Sequence, residues 1–170
     1  MAELWTFDKM SNDLLQSCID RFSKLFGQPR LTSRPTDHSI ARIQTELGFS
    51  IPGDFLEFAR RCAVYTSWFT SIGEDFADPL HILSINRQYR TAEYGSLPKD
   101  LVVINHGYDG DLTCYDLSKT DAEGRISICY CWVSESTNPV FEDKRQHLGY
   151  ALCDYLIPNL EFWEKHQKKK

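Results

Sequence analysis

Residues Leu97–Trp132 read LPKDLVVINHGYDGDLTCYDLSKTDAEGRISICYCW. Three β-rich runs stand in this stretch. Leu101–Asn105 is a short apolar run, Leu112–Leu117 alternates moderately, and Ile126–Trp132 alternates in a composition rich in Ile, Tyr and Trp. Asp109-Gly110 and Glu123-Gly124 supply turn chemistry between the runs. The spacing predicts consecutive antiparallel strands. Their turns carry acids while the strands stay apolar, a pattern suited to presenting a surface.

Upstream the period is helical. Asn12–Phe26 predicts a helix, with Leu14, Leu15, Cys18, Ile19, Phe22, Leu25 and Phe26 at helical spacing and Ser11 or Asn12 able to cap it. Gly27 and Pro29 stop it, and residues 27–36 form a connector. Asp37–Leu47 predicts a second helix, with Ile40, Ile43 and Leu47 on one face and Gly48 as its stop. A third begins near Pro52, with Phe55, Phe58, Ala59 and Cys62 as its buried stripe. Tyr65–Ile72 and Leu80–Ile85 then read as strands around an acidic loop, Gly73–Pro79. Asn86–Ser96 reads as a short helix or turn. Downstream, Ser134–Arg145 reads as a long polar loop. Leu148–Trp163 reads as a closing helix that Pro158 should kink or divide. The expected class is α+β: a mainly antiparallel sheet over about residues 65–133, packed with N-terminal and C-terminal helices.

The chain has 170 residues, 42% hydrophobic and 13% aromatic, enough for one packed core. No apolar run approaches the roughly 18 residues that span a bilayer. The opening MAELWTFDKM lacks a basic and then apolar leader, so a cytoplasmic location is expected. In that setting the six cysteines read as reduced thiols. Cys18, Cys62 and Cys153 fall on apolar helical stripes. Cys114 shares a strand face with Leu112, and Cys129 and Cys131 share another. Further ligands at compact spacing do not follow, so neither metal nor cofactor is expected.

The net charge of −5 is unevenly spread. Residues 71–143 hold thirteen acids and five bases, a net −8, whereas residues 144–170 are net +3. Nucleic acid is therefore an unsuitable direct ligand for the sheet half, and no membrane contact is expected. An acidic face suits a basic protein partner; it also serves simply as a solvated face.

Motifs for chemistry are missing. His38, His81, His106, His147 and His166 form neither HExxH nor an HxH pair, and no GxSxG, P-loop or GxGxxG occurs. Gly107–Asp111 resembles part of a calcium loop, but the twelfth residue from Asp109 is Thr120 rather than glutamate, and a hairpin turn fits better. An enzyme with a site dispersed along the chain is a remote alternative. Trp5, Trp68, Trp132 and Trp163 read as core or edge residues. Trp68 and Trp132 become interface anchors if exposed among acids.

The order of these pieces resembles the SUKH superfamily, the Smi–Knr-like immunity and adaptor domains. The matching positions are Ile43, Glu46, Leu47, Gly48, Ile51, Pro52, Phe55, Leu97, Pro98, Gly110, Asp111, Asp116 and Trp132, over roughly residues 37–163. Many relatives carry an Asn-Gly-Gly turn where this chain has Cys62-Ala63-Val64-Tyr65. The resemblance divides the chain into an N-terminal helical extension (1–36), a SUKH-like domain (37–165) and a basic tail (166–170). It implies structural roles for Glu46, Leu47, Gly48, Pro52, Phe55, Pro98, Gly110 and Asp116, and no catalytic residues. It also implies a protein-binding function, either as an immunity protein neutralising a toxin, often a nuclease, or as an adaptor in a regulatory complex. With the acidic excess, the expected contacts to a basic toxin domain are Glu74, Asp75, Asp78, Asp109, Asp111, Trp68 and Trp132.

Overall fold

The computed structural model describes residues 2–26, 36–62, 79–91, 97–106, 111–133 and 141–167. Four helices precede the sheet: α1 (Ala2–Phe26), α2 (Asp37–Leu47), α3 (Gly53–Cys62) and α4 (Pro79–Tyr89). Strands β1 (Leu101–His106), β2 (Leu112–Thr120), β3 (Ile126–Val133) and β4 (Phe141–Gly149) follow, and α5 (Leu152–Gln167) closes the described chain. The strands form one antiparallel sheet in the order β1-β2-β3-β4. The class is α+β.

Local chemistry sets the helix ends. At α2 the Thr36 hydroxyl accepts from the Ser39 N–H at 3.1 Å, and the Ser39 hydroxyl accepts from the Thr36 N–H at 3.0 Å. This reciprocal capping box satisfies two amides that helix geometry leaves unpaired. Gly48 ends α2 at φ +63°, a left-handed conformation that glycine adopts without Cβ strain. Asp54, in the first turn of α3, accepts from the Leu152 N–H at 2.9 Å and so caps α5 from a distant part of the chain. Gly149, the last residue of β4, has φ +152°, and a Cβ there would overlap the Asp154 side chain. That side chain is occupied: its Oδ2 accepts from the N–H groups of Tyr150 and Ala151 at 3.0 Å each.

The sheet is buried on both faces. On one face Val102, Ile104, Tyr115 and Ile128 join a core with Leu15, Cys18, Ile19 and Phe22 of α1, Ile40 and Ile43 of α2, Phe55 and Phe58 of α3, and Leu152, Leu156 and Leu160 of α5. On the other, Leu101, Val103, Leu112, Cys114, Cys129, Cys131, Val133 and Phe141 pack with Ile85 and Tyr89 of α4. Strands β1 to β3 thus alternate between two apolar layers, which is why Leu101–Ile104 is apolar throughout.

Several expectations are corrected. Helix α1 begins at Ala2, because nothing in residues 2–11 breaks the helix, and Leu14 points to solvent off the buried stripe. Leu80–Ile85 is helical. Among the described side chains of α4 the buried ones are Leu83, Ile85, Asn86 and Tyr89, a helical spacing that the short LHILSI window conceals behind its alternation. Residues 141–145 of the polar segment expected as a loop form the first half of β4. It is an edge strand in which only Phe141 and Leu148 are apolar, so it carries little apolar signal. Leu148 accordingly belongs to β4, and α5 begins at Leu152. That helix runs undivided through Pro158, with Leu156 and Leu160 buried on either side. The proposed strand Tyr65–Ile72 lies outside the described residues.

Helix α4 also closes a sheet edge. The Asn86 side chain donates to the Val103 carbonyl at 3.0 Å and accepts from the Val103 N–H at 2.9 Å. Arg90 donates to the Leu101 carbonyl at 3.2 Å. The amide of Asn86 thus stands where a fifth strand would pair and satisfies a buried backbone. Asn86→Ala should lower unfolding free energy by about 2–4 kcal/mol, because two buried backbone groups lose their partner. A urea titration showing less than about 0.5 kcal/mol change would mean that this edge is not sealed by Asn86.

Candidate protein-binding surface

The helices cover only part of the sheet's first face. Along β3, Ile128, Tyr130 and Trp132 follow one another at strand period. Ile128 is in the core, Tyr130 is half-buried, and Trp132 is 38% exposed. The rings of Tyr130 and Trp132 meet edge to face, centroids 5.3 Å apart at 83°. The Tyr130 hydroxyl donates to Asp111 Oδ2 at 2.7 Å. Tyr130 therefore joins two residues singled out from sequence, Asp111 and Trp132, into one patch. Across the sheet, Glu142 stands at the register position opposite Trp132 and Gln146 opposite Tyr130. Burial of an exposed Trp–Tyr pair is a large source of interface energy.

A buried ion pair holds the strands beside this patch. Asp116 is wholly buried in β2. Its Oδ1 accepts from the Ser118 N–H at 3.1 Å, the Ser118 hydroxyl at 2.5 Å, and Arg145 Nη1 at 3.1 Å. The same guanidinium nitrogen donates to Asp100 Oδ2 at 2.7 Å. Burial pushes the Asp116 carboxyl up, but the Ser118 hydroxyl, Arg145 and the Ser118 N–H together outweigh it and hold it below its ordinary 3.8. Asp100 is also held below 3.8, chiefly by its bond from Arg145. Arg145 sits opposite Cys131, next to the irregularity in the β3–β4 ladder between Cys131 and Trp132. The ion pair thus anchors the stretch of β4 that borders Trp132.

The remaining residues expected to matter are dispersed. Glu46 receives Arg42 at 2.9 Å and Arg87 at 2.5 Å, so it joins α2 to α4. Leu47 packs against the first core, and Phe55 lies inside it with its ring 5.9 Å from that of Tyr115. The Pro52 and Pro98 carbonyls accept from the Leu56 and Leu101 N–H groups, at 3.1 and 3.0 Å. These are scaffold positions. Trp68, Glu74, Asp75, Asp78, Asp109 and Gly110 lie outside the described residues. Tyr130, Asp100, Ser118 and Arg145 escaped the sequence reading. For Tyr130 a signal existed: it shares Trp132's strand face, opposite Cys129 and Cys131. The ion pair crosses strands and leaves no local pattern.

Groups capable of nucleophilic chemistry are poorly placed for it. Ser127 Oγ lies 2.8 Å from His147 Nδ1, yet Ser127 is buried and cannot meet a substrate. All six cysteines are buried free thiols. Burial pushes the Cys62 thiol up to about 12. The Cys131 thiol and burial push Cys129 up, and contact with Cys114 pushes Cys131 up. Cys62, Cys129 and Cys131 therefore stay protonated and are weak nucleophiles; the Cys153 thiol and Arg21 hold Cys18 below its ordinary value, but Cys18 is buried in the core. Among the described residues no three His, Cys, Asp or Glu side chains gather as a metal-holding group. None of the described helices is long and apolar enough to cross a membrane.

The sequence model of the SMI1 / KNR4 family (SUKH-1) matches residues 34–148. The match runs from the α2 cap to the end of β4, taking in the whole sheet and both residues of the aromatic patch. Helices α1 and α5 lie outside it. Among curated proteins no match reaches significance.

Stability should follow the two depressed carboxylates. A carboxyl held below its unfolded value contributes stability at higher pH, and that contribution is lost as pH falls through the folded value. Unfolding free energy should therefore decline below about pH 4, where Asp116 and Asp100 take up protons. Arg145→Met should cost about 3–5 kcal/mol at neutral pH by leaving Asp116 buried and unpaired, and should flatten the acid decline. Urea titrations of both proteins across pH 2.5–7 measure this; parallel curves would contradict the assignment.

Proposed function

The chain belongs to the SMI1 / KNR4 family (SUKH-1), and on that premise we propose that it is a non-catalytic binding protein that neutralises a basic toxin domain, such as a nuclease, by stoichiometric capture. The observation that carries the reading is the Tyr130–Trp132 pair. It offers exposed aromatic surface on a rigid strand, with Asp111 bonded beside it, the composition of an interface hot spot. The net −8 of residues 71–143 supports a basic partner, because opposite charge steers encounter and fixes orientation. Glu74, Asp75, Asp78, Asp109 and Trp68 are further proposed contacts, and the cytoplasm is the proposed location. Capture needs no substrate pocket and no activated nucleophile, in keeping with the buried Ser127 and the buried thiols.

A second reading, an adaptor in a regulatory complex, draws support from Leu14 and Phe162. Both are exposed on helices outside the family match and could engage a second partner.

Titration of the purified chain into an activity assay of the toxin encoded beside it should give inhibition that saturates near one equivalent. Inhibition by far less than one equivalent, growing with time, would mean turnover and overturn the proposal. Reversing the charges of Glu74, Asp75 and Asp78 together should slow association and weaken its salt dependence while the circular dichroism spectrum stays unchanged. Unchanged association rates at low salt would remove that loop from the interface.

A further inference from the structure

We propose that the Asp111–Tyr130–Trp132 patch recognises arginine in preference to lysine, taking an arginine-bearing segment of a protein partner; the proposal rests on the reading of this patch as the binding surface. Tyr130 is the organising residue. Its ring stands edge to face against Trp132, and its hydroxyl is bonded to Asp111 Oδ2. The indole is thereby held on a strand with over a third of its surface exposed. Among the described residues the Trp132 indole N–H has no hydrogen-bond partner, and neither has Asp111 Oδ1. An aromatic surface and a carboxylate oxygen thus remain open on either side of one fixed tyrosine.

The aromatic surface decides between the two cations. Arg145 donates to Asp100 and Asp116, so its charge is already balanced within the domain. A carboxylate attracts either cation, and the indole discriminates between them. A guanidinium is planar and weakly hydrated. It can lie on an indole while its N–H edge reaches a carboxylate; an ammonium is compact, strongly hydrated and loses more on leaving water.

The test uses the full chain labelled with 15N at its tryptophan indoles, with the Trp132 signal assigned from Trp132→Phe. Hexa-arginine amide and hexa-lysine amide, equal in side-chain charge, are titrated separately. The arginine peptide should move the Trp132 signal and bind at least about three-fold more tightly than the lysine peptide. Trp132→Ala should abolish that preference while leaving similar residual affinity for both, and Asp111→Asn should weaken the arginine peptide. A thermal melt confirms that each variant is folded; if Trp132→Ala is not, Trp132→Leu takes its place. Equal affinities with an unmoved Trp132 signal would overturn the proposal. So would an arginine preference that survives in the Trp132 variant. The experiment contains no toxin, so its failure leaves stoichiometric capture to be judged by the inhibition titration, and failure of that titration leaves the peptide preference standing.

Discussion

The carboxylate of Asp116 lies wholly inside the protein, and neighbouring strands are arranged to keep it charged. An isolated buried carboxylate is strongly unfavourable, so its surroundings must supply donors and a counter-charge. Ser118 supplies two donors from the same strand, and Arg145 supplies the charge from β4, across β3. Arg145 also holds Asp100, just before β1, so one guanidinium ties together the approach to β1, the middle of β2 and the outer strand β4. Its side chain is 17% exposed and that of Asp116 1%, so solvent screens the pair little. The consequence reaches the surface, because β4 is held at the register that borders Trp132.

Two-sided burial limits what the domain can present. Helices α1, α2, α3 and α5 cover most of one sheet face, and α4 packs on the other while Asn86 seals the β1 edge. The aromatic pair at the far end of β3 stands beyond that cover. A rigid strand flanked by a buried ion pair presents Tyr130 and Trp132 in a set geometry, so little side-chain freedom remains to be lost on association. The same burial removes Ser127 and the six thiols from solvent.

Much of the fold was legible because local signals and tertiary demands coincide. Helix α2 carries its apolar residues on one face and ends at a glycine that spells a left-handed stop, and β1 to β3 carry both strand composition and turn chemistry. The misreadings occur where one signal serves two structures. LHILSI alternates like a strand, yet it forms a helix because Asn86 and Tyr89, beyond the window, complete the buried face. β4 lacks alternation because an edge strand needs little apolar surface. At the candidate surface, Trp132 could be singled out by residue type, but whether its ring faced core or solvent depended on where the helical cover ends. Arg145 was invisible for a related reason. Its partners lie 29 and 45 residues away, and nothing in EDKR distinguishes a buried arginine from a solvated one.

Differential amide hydrogen exchange, on the free chain and on its complex with the toxin domain proposed as its partner, tests capture at this surface most directly. The account predicts slowed exchange concentrated in the C-terminal half of β3, in the first half of β4 and around Asp111, with the α1–α5 side unchanged. Protection confined to α1 and α5, with those strands exchanging as in the free chain, would contradict it.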